Sequence, residues 1–158
     1  MGKTLITYFS CSGNTKKVAL KLKEVLEGEI FEIEPSIPYT IDDLNWEDEN
    51  SRSSVEMKDD NSRPSIKNKI TNINDYENIY VGFPIWWYTN PRIINTFLES
   101  YDFKNKKVYL YATSGGSSLD NTYLELTKLI SNISFVKTRV FSPNISTDEL
   151  KSQLNSLL

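Results

Sequence analysis

Six residues that follow the first apolar run, Ser10-Cys11-Ser12-Gly13-Asn14-Thr15, gather hydroxyls, an amide and a glycine at one point in the chain. Ahead of them, Thr4 to Phe9 is β-branched and aromatic, the composition of a buried strand. Behind them, Val18, Leu22 and Val25/Leu26 recur at helical spacing, with Lys16, Lys17, Lys21, Lys23 and Glu24 on the other face. A turn of small hydroxyl residues feeding a helix aims backbone N–H groups and O–H donors at one spot, on the positive end of the helix dipole. Such a spot suits a phosphate. The same residue types also serve as ordinary turn and N-cap residues, so the loop alone leaves a purely structural role open. It is not a Walker loop, because no Gly-Lys-Ser/Thr follows, and Gly13 alone does not make G-x-G-x-x-G. A phosphate here would rest mainly on neutral donors.

Two further loops carry the same kind of signal. The buried strand Asn78 to Phe83 runs into Pro84-Ile85-Trp86-Trp87-Tyr88-Thr89, and Val108 to Ala112 runs into Thr113-Ser114-Gly115-Gly116-Ser117-Ser118. Aromatic side chains exposed at a strand end are costly unless something covers them. One of Trp86 and Trp87 is expected to pack into the core, which leaves the other for a flat ligand. Gly115 and Gly116 allow close backbone approach, and the hydroxyls around them offer donors to a polar ring edge. The loops together describe a phosphorylated, planar ligand.

The elements that must hold these loops follow from periodicity. Glu29 to Glu34 reads as an edge strand, stopped by Pro35 and Pro38. Residues 39–64 form an acidic excursion with a helical piece near 48–59, anchored by Leu44, Trp46, Val55 and Met57 and otherwise read as a solvated face. Asn90-Pro91 is a cap followed by a first-turn proline, and opens a helix striped by Ile94, Phe97, Leu98 and Tyr101. Another helix runs through Leu119, Tyr123, Leu126 and Ile130, and Phe135 to Phe141 is a last strand. Ser146-Thr147-Asp148-Glu149 is a capping box for a final helix with Leu150, Leu154 and Leu157. The strand–helix alternation occurs five times without an internal repeat. It predicts one α/β domain over residues 1–158, a doubly wound three-layer sandwich with a parallel sheet covered on both faces. In such sheets ligands bind beyond the carboxyl ends of the strands, where the three loops stand.

Composition removes many alternatives. The 158 residues contain no histidine and one cysteine, Cys11. Zinc, iron–sulfur, Cys-His and Ser-His chemistry are therefore not expected, no metal site is expected, and no side chain is singled out as catalytic. Chemistry must come from carboxylates, tyrosines or an imported cofactor. The net charge of −3 suggests neither a nucleic-acid nor an anionic-membrane surface. A lone cysteine, no apolar run of about 20 residues and no recognisable signal peptide give the expectation of a cytoplasmic protein.

At their spacings, Ser10 to Thr15, Pro84-Ile85-Trp86-Trp87 and Thr113 to Ser118 resemble the flavodoxin family, in particular its short flavodoxin-like members. The resemblance covers nearly the whole chain. It implies a five-stranded sheet of order 2-1-3-4-5, an order that is the family's own and not read from this sequence, and FMN as cofactor. It implies that Ser10, Ser12, Gly13, Asn14 and Thr15, with Cys11 in the same loop, hold the phosphate. Trp86, Trp87 and Tyr88, led in by Pro84 and Ile85, would line the isoalloxazine. Thr113, Ser114, Gly115, Gly116 and Ser117 would meet its pyrimidine edge. Family carriers commonly bring a second aromatic from the third loop, and this loop has none. They also often place a glycine beside the flavin N5, and here Tyr88 follows Trp87. The implied function is low-potential electron transfer to redox partner proteins or a small acceptor. An FMN-dependent NAD(P)H:quinone-type reductase is the alternative, and a partner-binding or regulatory module using residues 39–64 is a third reading. Tyr88, Tyr39 and Arg52 are candidates for gating the ring.

Overall fold

The computed structural model describes residues 2–157. Five strands form one parallel sheet: β1 (Lys3–Tyr8), β2 (Glu29–Glu32), β3 (Tyr76–Pro84), β4 (Lys107–Thr113) and β5 (Ser134–Val140), in the order β2-β1-β3-β4-β5. The expected order and the edge placement of β2 both hold. Five α-helices connect or close them: α1 (Asn14–Leu26), α2 (Arg52–Lys58), α3 (Arg92–Glu99), α4 (Asp120–Leu129) and α5 (Thr147–Asn155).

Alternation along the strands sorts the core into two halves, one on each side of the sheet. Leu5, Ile79, Val81, Phe83, Val108 and Leu110 pack on one side with Ile94 and Phe97 of α3 and Leu126 of α4. Ile6, Tyr8, Tyr80, Tyr109 and Tyr111 pack on the other with Val18 and Leu22 of α1 and Leu150 and Leu154 of α5. The second half is unusually rich in tyrosine, with Tyr80 and Tyr109 stacked at 4.4 Å between ring centroids. Tyr111 is fully buried and donates from Oη to the Thr7 carbonyl at 2.9 Å. Gly82, opposite it on β3, has no room for a side chain: a Cβ there would run into the Tyr111 ring.

Several local expectations shift. The helix near 48–59 is only the seven residues of α2, capped by Ser51, whose Oγ accepts from Ser54 N. Helix α3 begins at Arg92, one residue later than the Asn90-Pro91 signal predicts. Asn90 is buried and donates to Asn95 Oδ1 at 2.7 Å, so its side chain joins an internal network and caps nothing. Of the predicted anchors of the excursion only Met57 is buried; Trp46 and Val55 are exposed. Leu157 lies past the end of α5, which Ser146 caps by accepting from Glu149 N as the capping box predicts.

The excursion is pinned at its base. Ser36 N donates to Ser65 O, Lys67 N to Glu34 O, and Asn68 Nδ2 to Glu32 O, so its two ends run side by side from the carboxyl end of β2. Its contents are thereby held over the same sheet edge as the three loops. Among the described residues no helix is long and apolar enough to cross a membrane.

Candidate functional site

The first loop is shaped from within. Gly13 adopts φ 90°, the left-handed region where a side chain is strained, and this lets the chain turn from β1 into α1. Ser10 Oγ accepts from Gly13 N at 3.1 Å and Lys16 N at 3.3 Å. Thr15 Oγ1 and Thr113 Oγ1 share a hydrogen bond of 2.7 Å, both buried, which ties the first loop to the third. The N–H groups of Ser12, Asn14 and Thr15 find no acceptor among the described residues. In the third loop Ser114 Oγ accepts from Gly116 N and Ser117 N, which curls the backbone around that side chain.

Between these loops lies a cleft of about 540 Å³. Cys11 and Ser12 form one wall, Pro84 through Tyr88 another, and Ser117 a third. Half of the sixteen residues singled out from the sequence thus line a single space. Ser10, Gly13, Asn14, Thr15, Thr113, Ser114, Gly115 and Gly116 belong to the same loops but not to its lining. The excursion closes the cleft with Leu44, Trp46 and Ser53, which sequence reasoning missed. A large indole in a stretch of Asp, Glu and Asn, with nothing apolar beside it in sequence, was the available signal. Ser53 Oγ is buried without a hydrogen-bond partner among the described residues, a costly state that a ligand atom would relieve.

The tryptophans divide the work between core and cleft. Trp86 meets the rings of Phe9 and Tyr39 edge-on, at 5.8 and 5.6 Å between centroids, so it is braced from behind. Tyr39 in turn donates to Glu56 at 2.6 Å, and Arg52 lies over its ring at 3.7 Å while bonding Glu56 at 2.9 Å. Burial, and then the hydrogen bond to Glu56, push the Tyr39 phenol well above its usual range. Arg52 and Tyr39 therefore act as a brace. Trp87 is half-exposed and Tyr88 is exposed.

Trp86 and Thr89 exchange both backbone hydrogen bonds, at 2.9 and 3.0 Å, around Trp87 at φ 47° and Tyr88 at φ 66°. Two positive φ values in a two-residue loop are the type I′ pattern, which Asn-Gly satisfies without strain and two aromatic residues do not. The double substitution Trp87→Asn, Tyr88→Gly is expected to raise stability by about 1–2 kcal/mol in urea titration while weakening whatever the cleft holds.

Cys11 lies in this wall, in surroundings that disfavour its thiolate. Burial pushes its thiol up to about 12, with nearby Glu56 adding to the effect and Arg52 opposing it. Because the raised value favours the neutral thiol at every ordinary pH, alkylation by iodoacetamide at about pH 8 should run about a hundredfold slower than for free cysteine, and should still climb about tenfold per pH unit above about pH 9, where free cysteine has levelled off. Mass spectrometry of timed samples reads this directly.

The flavodoxin family model matches residues 3–157. The chain belongs to the flavodoxin family. Among solved structures, a candidate flavoprotein of Bacteroides uniformis is 45% identical, with TM-score 0.94 and 98% of each chain covered. One from Bacteroides eggerthii is 40% identical, with TM-score 0.95, covering 99% of this chain and 98% of that one. A Lactobacillus acidophilus flavoprotein solved in complex with FMN shares the fold at 24% identity and TM-score 0.72, over 87% of this chain and 91% of that one. Among curated proteins none matches this sequence. Within this flavodoxin the third loop carries no aromatic, and the excursion brings Trp46 to the cleft that Trp86, Trp87 and Tyr88 also line.

Proposed function

We propose that this flavodoxin binds FMN and passes electrons at low potential to protein partners. The residues fit the cofactor. The unpaired N–H groups of Ser12, Asn14 and Thr15 at the start of α1 suit a phosphate. The aromatic cleft of about 540 Å³ suits a flat ring. The partnerless Ser53 Oγ lines that same cleft and has a hydrogen bond to give. In the bound protein FMN would supply one- and two-electron redox chemistry.

The chain's own residues bind, orient and exclude water. The hydroxyl loop would hold the phosphate, the braced Trp86 gives the cleft one rigid wall, and Trp46 of the excursion and Trp87 of the second loop would shield the ring from water. The observation that carries the reading is what the cleft lacks: none of its lining side chains is charged. Cys11, its one weakly acidic thiol, is held neutral by burial. A site without a group to give or take a proton near pH 7 suits electron transfer better than a reaction coupled to proton movement. An apolar wall with no cation also penalises added negative charge and so lowers the potential at which electrons are accepted.

The test is anaerobic. FMN-loaded protein is mixed with NADPH or NADH, with and without a quinone, and the flavin absorbance is followed. A carrier leaves the flavin oxidised, yet is reduced chemically and then oxidised rapidly by a one-electron acceptor such as cytochrome c. Fast bleaching by NAD(P)H with quinone turnover would establish the reductase reading instead. Failure to retain FMN at all would leave the partner-binding reading.

A further inference from the structure

Beside the aromatic cleft, and sharing Trp87 with it, is a second cleft of about 650 Å³. It lies between the end of α2 with the segment that follows it, the start of α3 and one face of α4, and of the sixteen candidate site residues only Trp87 lines it. We propose that it binds a small organic carboxylate, with the carboxylate on Arg92 and the carbon body against Met57, Leu129 and Trp87.

Arg92 carries the inference. It is nine-tenths buried, and its Nε has no acceptor among the described residues. Its Nη2 donates to the Met57 carbonyl and to Asp60 Oδ1, both at 3.0 Å. The Nε–H and Nη2–H of a guanidinium form a planar fork that matches the two oxygens of a carboxylate. Here Nη2 is shared by Asp60 and the Met57 carbonyl, and the Nε arm is empty. The Asp60 side chain is 92% exposed, so little holds it in place. A ligand carboxylate that displaces Asp60 would engage both arms and satisfy a buried donor that is otherwise orphaned.

The rest of the lining agrees. Lys128 is exposed in the same cleft and has no ion-pair partner among the described residues. Glu125, the other carboxylate present, is committed on both oxygens, to Thr89 at 2.7 Å and Asn121 at 3.0 Å. Met57, Leu129 and Trp87 supply apolar surface around these charges. A cationic fork set among aliphatic and indole groups selects an anion with a carbon body, in a chain whose net charge of −3 would otherwise repel it.

Benzoate and its neutral isostere benzamide are titrated calorimetrically into the full-length protein, with and without FMN. The expected result is saturable binding of benzoate and none of benzamide. Asp60→Ala removes the competing carboxylate at an exposed position and should tighten benzoate about tenfold, the worth of one charge-assisted hydrogen bond. Lys128→Gln should weaken it several-fold. Arg92→Lys, which keeps the charge and loses the fork, should abolish it, with circular dichroism checking the fold. Equal binding of benzoate and benzamide, no change in Asp60→Ala, or no saturable binding in either loading state would overturn the proposal. FMN titrations of the same samples separate the two readings: loss of flavin binding with benzoate binding intact counts against the flavin site alone.

Discussion

Gly82→Ala is expected to lower stability by about 3 kcal/mol or more, enough to leave little cooperatively folded protein. The residue sits in β3, paired with Tyr8 of β1 and Tyr111 of β4 at the centre of the sheet. An added methyl meets Cζ, Cε2 and Oη of the Tyr111 ring. That ring cannot retreat: it is fully buried, its hydroxyl is spent on the Thr7 carbonyl, and Tyr80 stands at 6.5 Å beside it. Relief requires either a shift of the strand or loss of a buried hydrogen bond, each costing about 1–3 kcal/mol. A strand shift would also reach the site, because Gly82 O accepts from Phe9 N just before the first loop and Pro84 opens the second two residues later. Urea titration measures the effect. In the double mutant Gly82→Ala, Tyr111→Leu the methyl finds space, so the loss should fall short of the sum by about 2 kcal/mol. A single-mutant cost under about 1 kcal/mol would mean that the tyrosine layer is softer than its packing indicates.

How far the sequence carries depends on whether a feature is local. Outside the excursion the strands and helices, four to thirteen residues long, appear where the apolar pattern is continuous. The three loops are legible for the same reason, since a strand end and a helix start bracket each of them. The Asn90-Pro91 signal misleads by one residue because tertiary structure draws the Asn90 side chain inward to Asn95. The excursion is where sequence runs out. Its residues bring no periodicity, and their placement comes from pairing between residues about 30 apart, Ser36 with Ser65 and Glu34 with Lys67. Only that closure turns Trp46 from a stray exposed indole into a wall of the cleft, and aligns Tyr39, Arg52 and Glu56 behind Trp86. Arg92 and Asp60 likewise meet only in three dimensions, 32 residues apart.

Trp46→Ala and Trp86→Ala are expected to separate cofactor contact from fold support. Both side chains line the aromatic cleft, yet Trp46 is 71% exposed and Trp86 is packed against Phe9 and Tyr39. Removing Trp46 should leave the thermal unfolding of the apoprotein unchanged while weakening FMN about five- to thirtyfold, the equivalent of about 1–2 kcal/mol of stacking. Trp46→Phe, which keeps a ring, should recover most of that loss. Trp86→Ala should weaken FMN at least as much and also cost about 2–3 kcal/mol of stability, because it leaves a void beside Phe9 and unbraces Tyr39. Fluorescence titration of FMN and calorimetric unfolding of the apoprotein read the two quantities independently. If Trp46→Ala bound FMN as tightly as the parent, the excursion would not cover the ring, and the face left open beside Trp87 would favour direct reaction with a small molecule.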